Sequence, residues 1–175
     1  MNKNVWGKTL LTVYPYLINI ADAIDRMVEK KALNSFYVSS NDFLRNNVFD
    51  VVDKIIELSE RKVVLINIKV LVTDILKKCN KKHAKVLIAK YISKKKNDEI
   101  CELLNLPPRT YFRMIKLAEN EFEEKLLKSG YSELKLYNLI KDETWIVDIK
   151  EEIQASQRNR DVEINSLALK KKVAL

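Results

Sequence analysis

Glycine and proline are nearly missing from this chain: of 175 residues only Gly7, Gly130, Pro15, Pro107 and Pro108 belong to those types. Tight hairpins need residues that take a positive φ, and strands are punctuated by the same two types, so an architecture of short hairpins is disfavoured. Cysteine is scarce as well. Cys79 and Cys101 stand 22 positions apart, with one histidine, His83, in the whole chain; this gives neither a disulfide framework nor the spacing of a zinc site, and it suits the reducing cytoplasm. Two glycines, neither followed by Lys-Ser or Lys-Thr, cannot form a phosphate-cradling loop. His83 sits among lysines without a neighbouring carboxylate in the sequence, so a histidine-based triad is not indicated and a solvated or phosphate-contacting role is expected. The chain is therefore expected not to be an enzyme and to need no metal and no cofactor.

Long apolar runs are missing too. The densest stretch, residues 63–72, includes Asn67 and Lys69 and falls well short of the roughly 18 apolar residues a membrane span requires. Lys3, Lys8, the stretch from Leu10 to Ile20 and Ala21-Asp22-Ala23 imitate a secretory signal, but Tyr14, Pro15, Tyr16 and Asn19 interrupt it. Its apolar spacing continues through Ile24, Met27 and Val28, as one face of a helix would. The expectation is a cytoplasmic protein with no membrane partner.

What is present is charge and aliphatic bulk: 32% of the residues are charged, a composition of amphipathic helices. The fold class is expected to be all-α, a helical bundle. A first helix is predicted from about Val5 to Lys31, started or kinked at Pro15, burying Leu17, Ile20, Ala21, Ile24, Met27 and Val28. After a turn near Val38 to Ser40, with Ser40 or Asn41 as cap, a second is predicted through Phe43, Leu44, Val48, Val51, Val52, Ile55, Ile56 and Leu58 to about Glu60. Residues 63–76 have strand propensity but no turn chemistry and no partner strand, and read as helix. Asn80 can cap a helix burying Ala84, Leu87, Ile88 and Tyr91. Asn97 is expected to cap Asp98 to Leu104, Asn105 to take the left-handed conformation, and Pro108 to open a helix that stops at Ser129-Gly130. Two weaker helices, 132–141 and 142–155, are expected to use Leu134, Tyr137, Trp145, Ile146, Ile149 and Ile153 as contacts, with a frayed tail after Ser156. The aromatics Tyr14, Tyr16, Phe36 and Tyr37 and both tryptophans are expected in the core or at an interface.

The net charge of +8 is unevenly placed. Residues 1–60 carry 7 basic and 8 acidic side chains, 61–96 carry 12 and 1, 97–129 carry 5 and 7, and 130–175 carry 8 and 8. Lys77, Lys78, Lys81, Lys82, Lys85, Lys90, Lys94, Lys95 and Lys96 follow one another with no acid between them. Such a run repels itself unless a polyanion offsets it, and DNA phosphate is the natural candidate; a solvated lysine face is the plainer alternative.

Immediately after this run, residues 97–118 have the form of a helix-turn-helix: a short helix, a turn of about four residues, and a second helix opening with Arg, Thr and aromatics. The spacing lets Ile100, Leu103 or Leu104, and Leu106 pack against Tyr111, Ile115 and Ala118. Arg109, Phe112, Arg113 and Lys116 are then left on the outer side, and arginine suits the paired acceptors of guanine in a major groove. The stretch from Lys81 to Leu126, about a quarter of the chain, resembles the promoter-reading C-terminal domain of bacterial sigma factors and the phage late-transcription regulators of the ArpU and RinA type. In that pattern a basic helix ending in an aromatic, here K-K-H-A-K-V-L-I-A-K-Y-I, precedes E-I-A-x-x-L-G-I-S-x-R-T-V-x-R, here E-I-C-E-L-L-N-L-P-P-R-T-Y-F-R. Cys101 replaces the usual alanine, Asn105 the glycine and Pro107 the serine that would cap the second helix. The resemblance implies a DNA-reading role for Arg109, Thr110, Arg113 and Lys116.

The expected organisation is thus a helical dimerisation or partner-binding region (1–62), a sigma-factor-like DNA-binding domain (63–130), and C-terminal helices with a tail (131–175). The expected function is sequence-specific binding of double-stranded DNA in the regulation of transcription. Base edges would be read by Arg109, Thr110, Phe112, Arg113 and Lys116, and phosphates met by the nine lysines from Lys77 to Lys96. RNA polymerase or a second copy of the chain are the partners foreseen for the amino-terminal helices. Two rivals are a helical adaptor that binds protein and no DNA, and a phage DNA-packaging or replication accessory protein.

Overall fold

Two long helices run antiparallel through the molecule, α1 (Trp6–Val38) and α2 (Arg45–Lys78). Tyr14 Oη lies 3.1 Å from Thr73 Oγ1 towards one end of the pair, and Lys62 Nζ donates to the Asp25 carboxylate at 2.7 Å nearer the other. The computed structural model describes the backbone of residues 5–38 and 45–173 and the side chains of residues 5–34 and 48–159. Among these every regular element is helical, as the scarcity of glycine and proline predicts. No described helix is long and apolar enough to cross a membrane.

α1 buries Trp6, Leu10, Leu11, Val13, Leu17, Ala21 and Ile24, mostly at the three- and four-residue spacing of one helical face. It passes through Pro15 instead of starting there and ends at Val38 instead of Lys31. Met27, expected in the core, is half exposed, because the stretch facing α2 has narrowed by that point to Ile24 and Val28. The expected cap at Ser40 or Asn41, and Phe43 and Leu44, lie outside the described residues, as do the side chains of Phe36 and Tyr37. α2 is a single helix of 34 residues. The predicted segments ending at Glu60 and starting at Val63 are continuous, and the division expected between 62 and 63 falls inside the helix. No glycine or proline interrupts it, and the core offers Val64, Ile68, Val72 and Ile75 an apolar surface that makes helix the better use of them.

α2 gives way at Cys79 to α3 (Lys81–Leu87), capped as predicted by Asn80, whose side chain accepts from the Lys82 N–H at 2.9 Å. Replacing Asn80 with alanine is expected to cost about 1 kcal/mol of stability in chemical denaturation, the usual worth of such a cap. α3 continues into a π-helical turn, Ile88–Ile92. The extra residue of that turn rotates the helix, so Ala89 is buried and Ile88, expected in the core, is 40% exposed. After α4 (Asn97–Leu103) and α5 (Pro108–Lys128) come α6 (Glu133–Ile140), capped by Ser132, and α7 (Thr144–Val173).

α5 stops at a Schellman turn: Tyr131 N–H donates to Leu126 O, Gly130 N–H donates to Leu127 O, and Gly130 takes φ +81°. The other glycine serves close packing, since a Cβ on Gly7 would stand 3.3 Å from Glu123 Cβ where α1 crosses α5. In α6 the buried residues are Leu136 and Ile140, while Leu134 and Tyr137, predicted as contacts, are exposed; the helix meets the bundle a quarter turn away from the expected side. The backbone of α7 stays helical through Val173, where a frayed tail was expected: the segment is rich in helix formers and has no glycine or proline after Gly130.

One core joins these elements, with Trp6 and Leu10 of α1, Leu65 and Ile68 of α2, Leu87 of α3, Ile100 of α4, Phe122 of α5, Leu136 of α6 and Ile146 of α7 all fully buried. Among them lies a buried acid, Glu143. It accepts from Arg61 Nε at 2.9 Å, from Arg61 Nη2 at 3.1 Å and from Trp145 Nε1 at 3.0 Å, and so ties the middle of α2 to the start of α7.

Candidate nucleic-acid interface

α4, its turn and α5 form a helix-turn-helix whose inner face is well anchored. Tyr111, Ile115, Ala118, Phe122 and Leu126 of α5 are all buried, as is Ile100 of α4. Of the two leucines at the end of α4, Leu103 is 60% exposed and Leu104 packs against the core. Asp98 and Glu99 occupy the first turn of α4, where the dipole favours them. Asn97 is not the predicted cap. The helix already includes it, and its Oδ1 accepts instead from Tyr111 Oη at 2.8 Å, a bond that joins the start of α4 to the first turn of α5.

The turn closes as the sequence suggests. Leu106 N–H donates to Cys101 O at 2.8 Å and Asn105 N–H to Glu102 O at 3.1 Å, with Asn105 at φ +49°. Asparagine tolerates this conformation where a side chain without a local polar group does not, so Asn105→Ala is expected to lower stability by about 1 kcal/mol in urea melts. Pro108 is the first residue of α5, and Pro107 precedes it in extended conformation without a side-chain cap.

The base-reading candidates are all presented to solvent. Arg109, Thr110, Phe112, Arg113 and Lys116 are exposed, on the side of α5 opposite Tyr111 and Ile115. Four of the nine lysines are engaged within the fold. Lys77 is 3.4 Å from Asp74, and Lys78 donates to Ser129 Oγ. Lys90 reaches Glu119, and Lys94 sits 3.7 Å above the ring of Tyr16 on α1, adopting φ +50° where the π-turn ends. Five remain exposed with no ion pair among the described residues: Lys81, Lys82, Lys85, Lys95 and Lys96.

These five fall in two places. Lys95 and Lys96 lie in the loop that leads into Asn97, whose side chain is bonded to Tyr111 on the inner face of α5. His83 on α3 and Tyr91 in the π-turn face α5, and Lys81 and Lys85 lie two residues, about 200° of helix, from His83. Their side of α3 therefore faces away from α5.

Acids on α5 hold the two helices together, a feature that nothing in their spacing reveals. Tyr91 Oη donates a short hydrogen bond to Glu119, and burial first, then that carboxylate's charge and hydrogen bond, raise the Tyr91 hydroxyl far above its ordinary pKa. Glu121 Oε2 lies 2.5 Å from His83 Nδ1, and Oε1 accepts from the Asn80 N–H at 3.1 Å. The expected solvated or phosphate-bound His83 is thus corrected: it is only a quarter exposed and engaged within the fold. Burial pushes the Glu121 carboxyl up, but the bonds from His83 and Asn80, with the charge of His83 and Lys125, outweigh it and leave the group below its ordinary 4.5. A carboxyl with a depressed folded value stabilises the fold above its unfolded value and loses that contribution as pH falls through the folded one. Glu121→Gln is therefore expected to lower stability at neutral pH and to flatten the loss of stability below about pH 4.5; parallel acid limbs for the two proteins would contradict this.

Burial, with the nearby Glu121 charge, raises the Cys79 thiol to about 11. Among the described residues no group of three His, Cys, Asp or Glu side chains could hold a metal ion. No family model, no curated protein and no solved structure matches the chain.

Proposed function

We propose that the protein binds double-stranded DNA in a sequence-specific manner through α4 and α5 and acts as a transcriptional regulator of sigma-factor-like type. The observation that carries this reading is the two-sided character of α5: one face is fixed by fully buried residues, and the other presents Arg109, Thr110, Phe112, Arg113 and Lys116 to solvent. A helix held in this way has what a reading helix needs: rigidity, reach into a groove and donors for base acceptors. Lys95 and Lys96 would meet phosphates flanking the groove. Lys81, Lys82 and Lys85 would contribute to the general positive field and not to the same contact. The step from DNA binding to transcription rests on the resemblance of residues 81–126. Selection of bound fragments from random duplexes tests the proposal, and a defined site of a few base pairs is expected to be enriched. No retention of any duplex at physiological salt would refute it and leave the protein-binding adaptor as the better reading.

A further inference from the structure

α2 carries a second apolar stripe that no part of the described structure covers. Phe49, Val52, Ile56, Val63, Ile66 and Val70 are between 38% and 69% exposed. They lie opposite Leu58, Leu65, Ile68 and Val72, which face the core. Their spacing of three and four residues, with Ser59 at the intervening position, is a heptad repeat over three heptads, about 32 Å of helix. A helix that only had to pack against α1 would need one apolar face, not two. A repeat of 3.5 residues is answered best by a helix with the same repeat, and a second copy of α2 supplies it.

The charges beside the stripe are complementary to themselves in one orientation. Lys62 and Lys69 flank it on one side and Asp53, Glu60 and Asp74 on the other. In a parallel, in-register pair each residue of the first flank faces the partner residue five positions on, which sets Lys69 against Asp74 and Lys62 against Asn67. Lys69 has no ion pair among the described residues, and Asp74 is held only by the exposed Lys77. An antiparallel pair would set lysine beside lysine and acid beside acid. Ile56, Val63 and Val70 fill one of the two alternating core positions with β-branched side chains, as in parallel pairs, while Val52, Ser59 and Ile66 at the other lack the leucine that favours two strands, so the match of Lys69 with Asp74 is what favours the parallel pair.

We infer that α2 pairs with α2 of a second copy as a parallel, two-stranded coiled coil. The inference rests on α2 alone and does not require DNA. It would also bring the C-terminal ends of both α2 helices, and the basic segments that follow them, to one end of the pair, as a two-fold DNA site would need. Sedimentation of the full chain without DNA should give a mass near twice the monomer's 20.5 kDa. The double variant I56E/V63E should sediment as a monomer with an unchanged helical circular dichroism spectrum, since both side chains are half exposed in the monomer. In a C101A background, I56C and V70C should each form a disulfide with its own copy under mild oxidation. A monomer at every concentration, a dimer indifferent to I56E/V63E, or cross-linking only when I56C is mixed with V70C would overturn the inference, the last by showing the antiparallel pair. Because no DNA is present, failure here leaves the DNA reading standing.

Discussion

Arg113→Ala is expected to weaken binding to the preferred duplex by about 1 to 3 kcal/mol, about 5- to 150-fold, and to relax the preference at one base pair. Arg113 sits in the second turn of α5 on the exposed face, where a guanidinium can offer two donors to one guanine, and nothing within the fold competes for it among the described contacts. Loss of those donors removes discrimination between bases while leaving the phosphate contacts in place. Lys96→Ala should behave differently. It should weaken all duplexes alike and lower the slope of log affinity against log salt by about 1, the release of roughly one counterion. Lys85→Ala, on the side of α3 turned from α5, should leave that slope nearly unchanged. Titrations of the three variants against preferred and scrambled duplexes at several salt concentrations separate these results. If Arg113→Ala and Lys96→Ala were indistinguishable, the assignment of reading and positioning roles would fail; if Lys85→Ala matched Lys96→Ala, the duplex would have to span both sides of α3.

Arg61→Ala is expected to destabilise the protein by about 2 to 3 kcal/mol. Its partner Glu143 has a side chain only 2% exposed, and removing the guanidinium leaves a buried carboxylate whose one other side-chain donor among the described residues is Trp145. Breaking a fully buried pair in this way costs about 3 to 5 kcal/mol; the lower figure applies because Arg61 is itself 37% exposed and water can reach the site. The cost lies in the unpaired charge more than in the lost attraction. R61A/E143Q, which neutralises the acid and keeps an acceptor for Trp145, should therefore recover at least half of the loss. Urea denaturation of the wild type and both variants provides the test. A loss below about 0.5 kcal/mol for Arg61→Ala, or no recovery in the double variant, would show that Glu143 is rehydrated or protonated without penalty.

The parts of this fold that depend on a residue's immediate neighbours were readable from the chain. Asn80 caps α3, Asn105 takes the left-handed conformation, Pro108 opens α5 and Gly130 closes it, each because the preference belongs to that residue's own backbone or to a side chain that bonds two positions away. The two-sided character of α5 was equally readable, since the period of an α-helix places Tyr111, Ile115 and Ala118 together and Arg109, Phe112, Arg113 and Lys116 apart from them. What failed was local inference applied to contacts set by other helices. Met27, Leu134 and Tyr137 have helical spacing but no neighbour to meet, and Ile88 was displaced by a π-turn that periodicity assumes away.

The sequence by itself determined an all-helical chain, its stops and caps, and the exposed face of α5, because these follow from backbone preference and helical period. The tertiary structure decided how the charge is used. Glu121 reaches His83 across 38 residues and Glu143 reaches Arg61 across 82, and Lys90 and Lys94 are drawn to Glu119 and Tyr16. Side-chain pairing depends on which helices lie side by side, and that is set by how all the apolar faces are buried together, so a run of lysines that looks uniform along the chain divides into four with partners and five with no ion pair among the described residues.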